Sequence, residues 1–330
     1  KAIRLNPNDE ELKYAYSTLN IKLNNFKVGW DLFESRFKIR KNLNNLKYIK
    51  LNNKNYYNKK IFGTDKNILI LREQGIGEEI LFSSIYKELI LLHPNLKIES
   101  DNRLIEIFKR CLGKEIFVPE GFYSNNLSKH KFEYISYAGS LIKNFRNKEE
   151  DFNSSKYLFA KKSKIEHFSK MLNTNKNIKK IGISWRSIIN IYGKLKSLTI
   201  MDFEPFFDSQ SQIINLQYGD VSKEISYLEN NNFKIKYFEN INLYKDIESC
   251  LGLLANLDLF ITVSNSTAHL AGAMGVPTIL ICPKKSTTYF YWNTDKGNSI
   301  WYKSIKVIGI KDSVSKTIQE IKNLVNNINE

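Results

Sequence analysis

The chain has 330 residues, 42% of them hydrophobic, and a formal net charge of +16. Its length suits two domains of ordinary size, each able to bury a core of its own. No apolar run approaches the roughly 20 residues that a membrane-spanning helix needs, and the lysines are scattered rather than clustered, which argues against nucleic acid as a partner.

The three cysteines, Cys111, Cys250 and Cys282, lie in apolar stretches and show no CxxC spacing. This pattern predicts buried free thiols rather than a disulfide framework. Free thiols are typical of a reducing compartment, so we expect a cytoplasmic protein.

Residues 1–45 are predicted to form a helical hairpin. Apolar residues at helical spacing lie on both sides of a turn at Asn24–Asn25: Leu12, Ala15, Tyr16, Leu19 and Leu23 before it, and Phe26, Trp30, Phe33 and Phe37 after it. Gly29 is the small residue at which the two helices would approach each other. This spacing resembles one tetratricopeptide repeat (TPR), although an ordinary two-helix extension fits it equally well.

The rest of the chain divides into a linker, two α/β regions and a final helix. Residues 46–66 are polar and aperiodic, as a linker would be, whereas short apolar strands alternate with helices over 67–170 and again over 171–312. Such alternation predicts two doubly wound parallel sheets whose ligands bind in a cleft between the domains. Residues 313–330 form an amphipathic helix that we expect to pack back on the amino-terminal domain.

The individual elements follow from the same pattern. Strands are predicted at 67–72, 96–100, 115–118, 132–137, 179–185, 212–218, 233–238, 258–263 and 278–282, and the longest helix at 78–92.

The first candidate site follows the first strand of the first α/β region. Gly75 and Gly77 permit a tight turn and the close approach of a ligand. A dinucleotide fingerprint needs a further glycine where Ile80 stands, which argues against NAD. The carboxylate of Glu78 at the helix start is interpreted as a general base. The alternative is that Glu78 and Glu79 only complement the helix dipole.

A second candidate site is the run from Val263 to Pro277. Asn265, Ser266 and Thr267 supply cap oxygens at a helix start whose N–H groups are free, which predicts a phosphate cradle. His269, in the first turn, is expected to reach a phosphate or a sugar. Taken alone, a Ser-Asn cap is also compatible with a purely structural role.

Two further strand ends carry polar residues. The Trp185-Arg186 pair is followed by a loop with Lys194 and Lys196, which suits the binding of a diphosphate, although a solvated basic loop is the alternative. At the next strand end, Gln217 and Tyr218 offer an amide and an aromatic ring suited to a base or a ribose.

The sequence has no HExxH, P-loop, nucleophile elbow, Cys/His cluster or DxD-like acidic pair, so no metal site is predicted.

In order along the chain, these motifs resemble the TPR-linked branch of the heptosyltransferase-like family, glycosyltransferase family nine and its relatives. The matching segments are GWDLFESRF at 29–37, REQGIGEEILF at 72–82, IGISWR at 181–186, KSL at 196–198, NLQYGD at 215–220, LANLDLFITVSNSTAHLAGAMGVP at 254–277 and WY at 301–302. Together they extend over nearly the whole chain, and the 254–277 block is the most specific.

The resemblance implies a GT-B fold, in which two Rossmann-like domains face a cleft. It also implies inverting, metal-independent transfer of a hexose or heptose from a nucleoside-diphosphate sugar to a hydroxyl of a glycan or protein acceptor, without a cofactor. The donor-binding residues would be Trp185, Arg186, Lys194, Lys196, Gln217, Tyr218, Ser264, Asn265, Ser266, Thr267 and His269. The acceptor-side loop would comprise Gln74, Gly75 and Gly77.

Two departures from the family pattern matter. The family's acidic residue after the glycine pair is usually an aspartate, and Glu78 takes its place here. The family's Asp-Thr pair before the HLA run is replaced by Ser264-Asn265, so an aspartate-mediated donor contact is not expected. The alternatives are a non-catalytic GT-B-like scaffold whose TPR-like helices bind a protein partner, and a nucleotide-sugar epimerase.

Overall fold

The computed structural model of the chain describes residues 5–39, 65–123, 131–152, 155–172, 175, 177–188, 193–283, 289–293 and 297–327. The chain forms two compact units, Lys1–Asn153 with Tyr289–Tyr291, and Ser154–Thr288 with Trp292–Glu330. The hairpin is therefore part of the first unit. The first unit's main segment ends at Asn153, earlier than the predicted domain boundary at residue 170. Most of the predicted linker 46–66 falls outside the described residues. No helix in the described part of the chain is long and apolar enough to cross a membrane.

The first unit contains a four-stranded parallel sheet in the order β3-β2-β1-β4. Its strands are β1 Ile68–Leu71, β2 Leu96–Ser100, β3 Phe117–Pro119 and β4 Tyr134–Tyr137. All four residues of β1 are buried, as a central strand covered on both faces requires.

The helices that accompany this sheet are α4 Ile76–Phe82, α5 Tyr86–Leu92, α6 Asn102–Leu112 and α7 Ala138–Phe145. The single helix predicted over 78–92 is interrupted by a 3₁₀ turn at Ser83–Ile85. The Ser83 hydroxyl donates to the carbonyl of Ile80 at 2.7 Å, a local side-chain bond that competes with regular helical bonding.

The hairpin that precedes the sheet consists of α1 Glu10–Lys22, α2 Phe26–Phe33 and the single turn α3 Arg36–Ile39. The predicted buried stripe of α1 is wrong. Its buried face carries Ser17, Asn20 and Ile21, while Tyr16, Leu19 and Leu23 are exposed. The cause is the close approach of α2, since a Cβ on Gly29 would lie 2.5 Å from Ile21 Cγ1.

The aromatic stripe predicted for α2 is confirmed, because Phe26, Trp30 and Phe33 are buried. Trp30 Nε1 donates to the carbonyl of Arg146, just after α7, at 2.6 Å. Gly29 and these rings therefore allow α2 to pack between α1 and the first unit's α/β core, and the hairpin buries its face within its own unit.

The second unit contains a six-stranded parallel sheet in the order β10-β9-β8-β5-β6-β7. Its strands are β5 Lys179–Ser184, β6 Ser211–Asn215, β7 Ile235–Lys236, β8 Leu259–Val263, β9 Thr278–Cys282 and β10 Ile305–Gly309. Its helices are α8 Lys162–Met171, α9 Ser222–Asn230, α10 Ile247–Leu254, α11 Ser266–Met274 and α12 Val314–Asn327. A 3₁₀ helix, Ile200–Phe206, contains Pro205.

Strand β10 was not predicted from the sequence. It lies at an edge of the sheet and alternates, with Ile305 and Val307 buried and Lys306 exposed. Its apolar residues are therefore too few to distinguish it from the surrounding loop by pattern alone.

The expectation that the final helix packs on the amino-terminal domain is wrong. Ile318, Ile321 and Val325 of α12 belong to the core of the second unit, together with residues of β5, β6, β8 and β9. Lys322 forms an ion pair with Asp208 in the same unit. Among the described residues of its apolar face, Ile318, Ile321 and Val325 are thus buried within the second unit.

Candidate functional site

The topology of the second sheet fixes where a ligand would bind. β5 is the first strand of the second unit and lies in the middle of its sheet, with β6 on one side and β8 on the other. The chain connections diverge at this point, and a crevice is left beyond the carboxyl ends of β5 and β8. The predicted donor-binding residues follow β5, β6 and β8, and contacts described below link many of them at this edge.

Asn265 joins the ends of β8 and β5. Its Oδ1 accepts from the backbone N–H of Ala268 at 3.1 Å and so caps α11. Its Nδ2 donates to Ser184 Oγ at 2.9 Å and to Thr262 Oγ1 at 3.3 Å. Both ends of the amide are therefore engaged within the protein, and Asn265 fixes the start of α11 against β5.

Gln217 plays the same part between β6 and β5. Its Oε1 accepts from Ser184 Oγ at 3.1 Å and from the backbone N–H groups of Trp185 at 3.0 Å and Arg186 at 2.8 Å. Its Nε2 donates to the carbonyl of Tyr218 at 2.8 Å. Three strand ends are thereby tied together by two amide side chains.

Tyr218 connects this edge with a cavity. The side chains of Ser266, the first residue of α11, and of Ser187 lie close enough to its hydroxyl to influence its pKa. Burial raises the pKa of the Tyr218 phenol, and the hydroxyl therefore stays protonated at neutral pH. The Tyr218 ring centroid lies 6.1 Å from that of Tyr244.

The cavity has a volume of about 530 Å³ and lies beyond the carboxyl ends of β6 and β7. Its lining combines apolar, amide and aromatic groups, and includes Asn215, Gln217, Tyr218, Tyr237, Asn240 and Tyr244. The sequence prediction missed the part at 237–244, because a strand was expected as far as 238 whereas β7 has only two residues. Three aromatic residues in the eight after that strand were the available signal.

The cationic residues differ in their surroundings. Lys194 is exposed, whereas Lys196 is buried and close enough to His269 to influence its protonation. The Arg186 guanidinium contacts Glu224 and donates to the carbonyl of Asp220. Burial lowers the pKa of Arg186.

His269, which was expected to reach a phosphate or a sugar, is buried in an aromatic pocket. Its Nδ1 lies 3.1 Å from the Tyr302 hydroxyl, and its ring centroid lies 5.0 Å from that of Trp292. Burial, with a smaller contribution from Lys196, lowers the pKa of His269 to about 3. The imidazole is therefore neutral at physiological pH and has a single ring N–H to donate.

The remaining predicted residues of this edge are mostly buried. Ser264 Oγ accepts from Trp292 Nε1 at 3.1 Å, and Thr267 is also buried. Trp185 packs in the core and its Nε1 donates to Glu224 at 3.4 Å. Ser266 is the one cap residue of α11 that keeps partial exposure.

In the first unit, the predicted acceptor-side loop leads from β1 into α4. The left-handed backbone conformation falls on Gln74, with φ of 62°, rather than on Gly75 or Gly77. A non-glycine residue held in that conformation is strained. The Gln74 Nε2 is also buried without a hydrogen-bond partner.

Glu78 and Glu79 have different surroundings, as adjacent helical residues should. Glu79 is buried and accepts from Arg72 Nε at 2.5 Å, from Ser100 Oγ at 2.5 Å and from the Asp101 N–H at 3.0 Å. Glu78 is partly exposed, and its Oε1 accepts from the hydroxyl of Tyr291 at 3.2 Å. Of the pair, only Glu78 has a side chain in contact with solvent that could receive a proton.

The switch point of the first sheet, between β1 and β4, is filled by the protein itself. Glu73, just after β1, is buried and accepts from the Gly139 N–H at 2.7 Å. Arg36 of the hairpin pairs with both Glu73 oxygens at 2.8 and 2.9 Å, and it donates to Ser140 Oγ at 2.8 Å. Glu73 and Arg36 belong to matching sequence segments, but sequence reasoning gave neither a role.

Within the described ranges, no group of three or more His, Cys, Asp or Glu side chains is placed to hold a metal ion.

Comparison with known proteins places the chain among few relatives. No protein-family model matches the sequence. Protein FlbA of Caulobacter vibrioides is 25% identical over 311 residues, which are 85% of this chain and 50% of that protein. The chain therefore spans about half the length of the curated relative it matches.

Two solved structures share the fold of this chain. E. coli ADP-heptose lps heptosyltransferase II has a TM-score of 0.55 and 11% identity, and the match covers 80% of this chain and 100% of that chain. The glycosyl transferase family 9 structure from Veillonella parvula DSM 2008 has a TM-score of 0.54 and 12% identity, with 82% and 93% covered. The predicted pair of doubly wound α/β units is thus confirmed as a heptosyltransferase-like fold.

Proposed function

We propose that this chain is a glycosyltransferase that moves a hexose or heptose from a nucleoside-diphosphate sugar to a hydroxyl of a glycan or protein acceptor. The transfer proceeds with inversion and without a metal ion. The observation that carries the proposal is the position of Tyr218. This one side chain lines a cavity of about 530 Å³, and its phenol lies close enough to Ser266, at the start of α11, for that side chain to influence its pKa.

A nucleoside diphosphate fits this arrangement. The base and ribose occupy the cavity, where the rings of Tyr218 and Tyr244 offer stacking surfaces and amide side chains offer hydrogen bonds. The diphosphate lies at the start of α11, where the free N–H groups and the helix dipole favour an anion. The ammonium of Lys196 and the guanidinium of Arg186 add positive charge near that point.

The chemistry follows from these placements. Glu78 takes the proton of the acceptor hydroxyl as its oxygen forms a bond to the anomeric carbon. The bond from that carbon to the diphosphate oxygen breaks, and its electron pair leaves with the diphosphate. Backbone N–H groups and cations stabilise the charge on the leaving group. A single displacement of this kind inverts the anomeric centre.

The test is calorimetric titration with UDP, GDP, ADP, CMP and dTDP sugars. We expect one nucleotide class to bind, and Tyr218→Phe to weaken its binding about fivefold, because the variant lacks the hydroxyl beside Ser266 as a hydrogen-bonding group for the nucleotide. The matched control is Tyr227→Phe, which breaks a tyrosine–glutamate bond to Glu204 in the same unit and should leave affinity unchanged. Absence of binding by every nucleotide sugar would overturn the proposal.

A second candidate is a non-catalytic scaffold that binds a protein partner. The observation that favours it is the apolar face of α1, where Tyr16, Leu19 and Leu23 are exposed. A scaffold should bind no nucleotide sugar in the same titration, and substitution of these three residues by Ser should abolish partner binding.

A further inference from the structure

The short segment Tyr289–Tyr291 lies in the first unit, although the chain before and after it belongs to the second. Its middle residue, Phe290, is buried against two rings of α2. The Phe290 centroid lies 5.5 Å from Phe33 and 6.1 Å from Trp30, both in edge-to-face geometry. We call Trp30, Phe33 and Phe290 the aromatic seat.

The next residue of the segment contacts the proposed base. Tyr291 is buried, and its hydroxyl donates to Glu78 Oε1 at 3.2 Å. Its ring is stacked on that of Tyr289, with centroids 5.2 Å apart and planes 5° apart. Burial and the neighbouring Glu78 raise the pKa of Tyr291 well above its ordinary value. The phenol therefore remains a hydrogen-bond donor throughout the physiological pH range.

The second oxygen of Glu78 lies beside the glycine loop. A Cβ on Gly75 would come within 3.2 Å of Glu78 Oε2, so the missing side chain leaves space around that atom. One carboxylate oxygen is thus held by Tyr291, while the other faces the loop expected on the acceptor side. A glutamate side chain otherwise has considerable rotamer freedom, and the bond restricts it.

We propose that Tyr291 is a positioning residue for Glu78, and that the aromatic seat holds Tyr291 in place. This inference rests on the proposed role of Glu78 as the general base. The hairpin then contributes to turnover through Trp30 and Phe33, which anchor the residue next to Tyr291.

The test is steady-state kinetics of Tyr291→Phe, Glu78→Gln and the double variant, each with its thermal midpoint. We expect Tyr291→Phe to lower kcat roughly tenfold, in line with one hydrogen bond to a charged group, while the donor KM changes less than about twofold. In the Glu78→Gln background, Tyr291→Phe should cause no further loss of kcat.

Two further variants test whether a loss of kcat comes from the positioning of Glu78 or from a general loss of stability. Tyr227→Phe removes a comparable bond to Glu204 in the second unit and should leave kcat unchanged. Phe290→Leu loosens the aromatic seat and should lower kcat only when Tyr291 is present.

The outcomes distinguish the two ideas. Equal losses from Tyr291→Phe in the wild-type and Glu78→Gln backgrounds would overturn the positioning role and leave the base intact. An unchanged kcat in Tyr291→Phe would do the same. Full turnover by Glu78→Gln would overturn the proposed base and, with it, this inference.

Discussion

At the scale of single residues, Glu78 and Glu79 are adjacent carboxylates with opposite surroundings. Glu78→Gln removes the proton acceptor but keeps size and polarity, so kcat should fall by on the order of 10²–10⁴ with donor affinity nearly intact. Glu79→Gln removes the buried charge that pairs with Arg72 and should lower the free energy of unfolding by about 1–3 kcal/mol. Turnover assays and urea unfolding of both variants check this, and the reversed pattern would contradict it.

His269 should make stability depend on pH. Its pKa is about 3 in the folded protein and near 6.5 when unfolded. Below pH 6.5 the His269 side chain binds a proton in the unfolded chain but not in the folded protein. Its contribution to the free energy of unfolding is therefore fully present above pH 6.5 and is lost as the pH falls. From pH 7 to pH 5 the loss is about 2 kcal/mol.

His269→Asn removes this titration. The stability advantage of the wild type over the variant should therefore shrink by about 2 kcal/mol between pH 7 and pH 5 in urea unfolding. A difference that stays constant over this range would show that His269 is not held neutral by burial.

The sequence pattern located most of these residues, but it did not reveal the groups with which they hydrogen-bond. It placed Asn265 and Gln217 at strand ends, which is correct, and read them as ligand contacts. In the structure the oxygens and nitrogens of both amides are taken up by neighbouring strand ends. Which polar groups are already satisfied depends on residues that are distant in sequence, and local pattern carries no such information.

At the scale of elements, the hairpin is fixed to the first sheet by the buried pair of Arg36 and Glu73. Arg36→Met leaves the Glu73 charge buried without its partner and should cost about 3–5 kcal/mol of unfolding free energy. The double variant Arg36→Met, Glu73→Leu should recover most of that loss, because replacing both charges removes the burial penalty.

Lys38→Met is the matched control. It breaks an ion pair with Glu10 in which the lysine is 70% exposed, so the cost should stay below about 1 kcal/mol. Equal losses in the single and double Arg36 variants, measured by urea unfolding, would contradict the pairing argument.

The strands were predictable because buried parallel strands are short runs of apolar residues, as in β1 and β9. The orientation of α1, in contrast, could not be predicted from the sequence. Its apolar stripe faces solvent, and Ser17 is buried instead because its hydroxyl donates to the carbonyl of Gly29 at 2.8 Å. A backbone contact at a glycine outweighs side-chain hydropathy here, and that contact is visible only once the helices are packed.

At the scale of the whole molecule, ligand binding should stabilise the fold. The correct nucleotide sugar at about 100 times its Kd should add roughly 2.7 kcal/mol to the free energy of unfolding, and the other nucleotides much less. Thermal shifts across the series measure this. A series without any shift would count against a donor site.

Transfer should also survive EDTA, because the proposal assigns the leaving-group charge to N–H groups and cations of the second unit. Activity assays with EDTA, and with magnesium or manganese added back, are the measurement. Activity that returns only with one of these ions would overturn the metal-free mechanism.

The inclusion of Tyr289–Tyr291 in the first unit bears on how the protein is made. The amino-terminal unit cannot be completed when Asn153 leaves the ribosome, because three of its residues are synthesised only after most of the second unit. At about 5–20 residues per second, the wait is on the order of ten seconds. During that interval Trp30 and Phe33 lack the ring of Phe290, so we expect the nascent amino-terminal half to expose apolar surface of the kind that chaperones bind until Phe290 is synthesised and covers it.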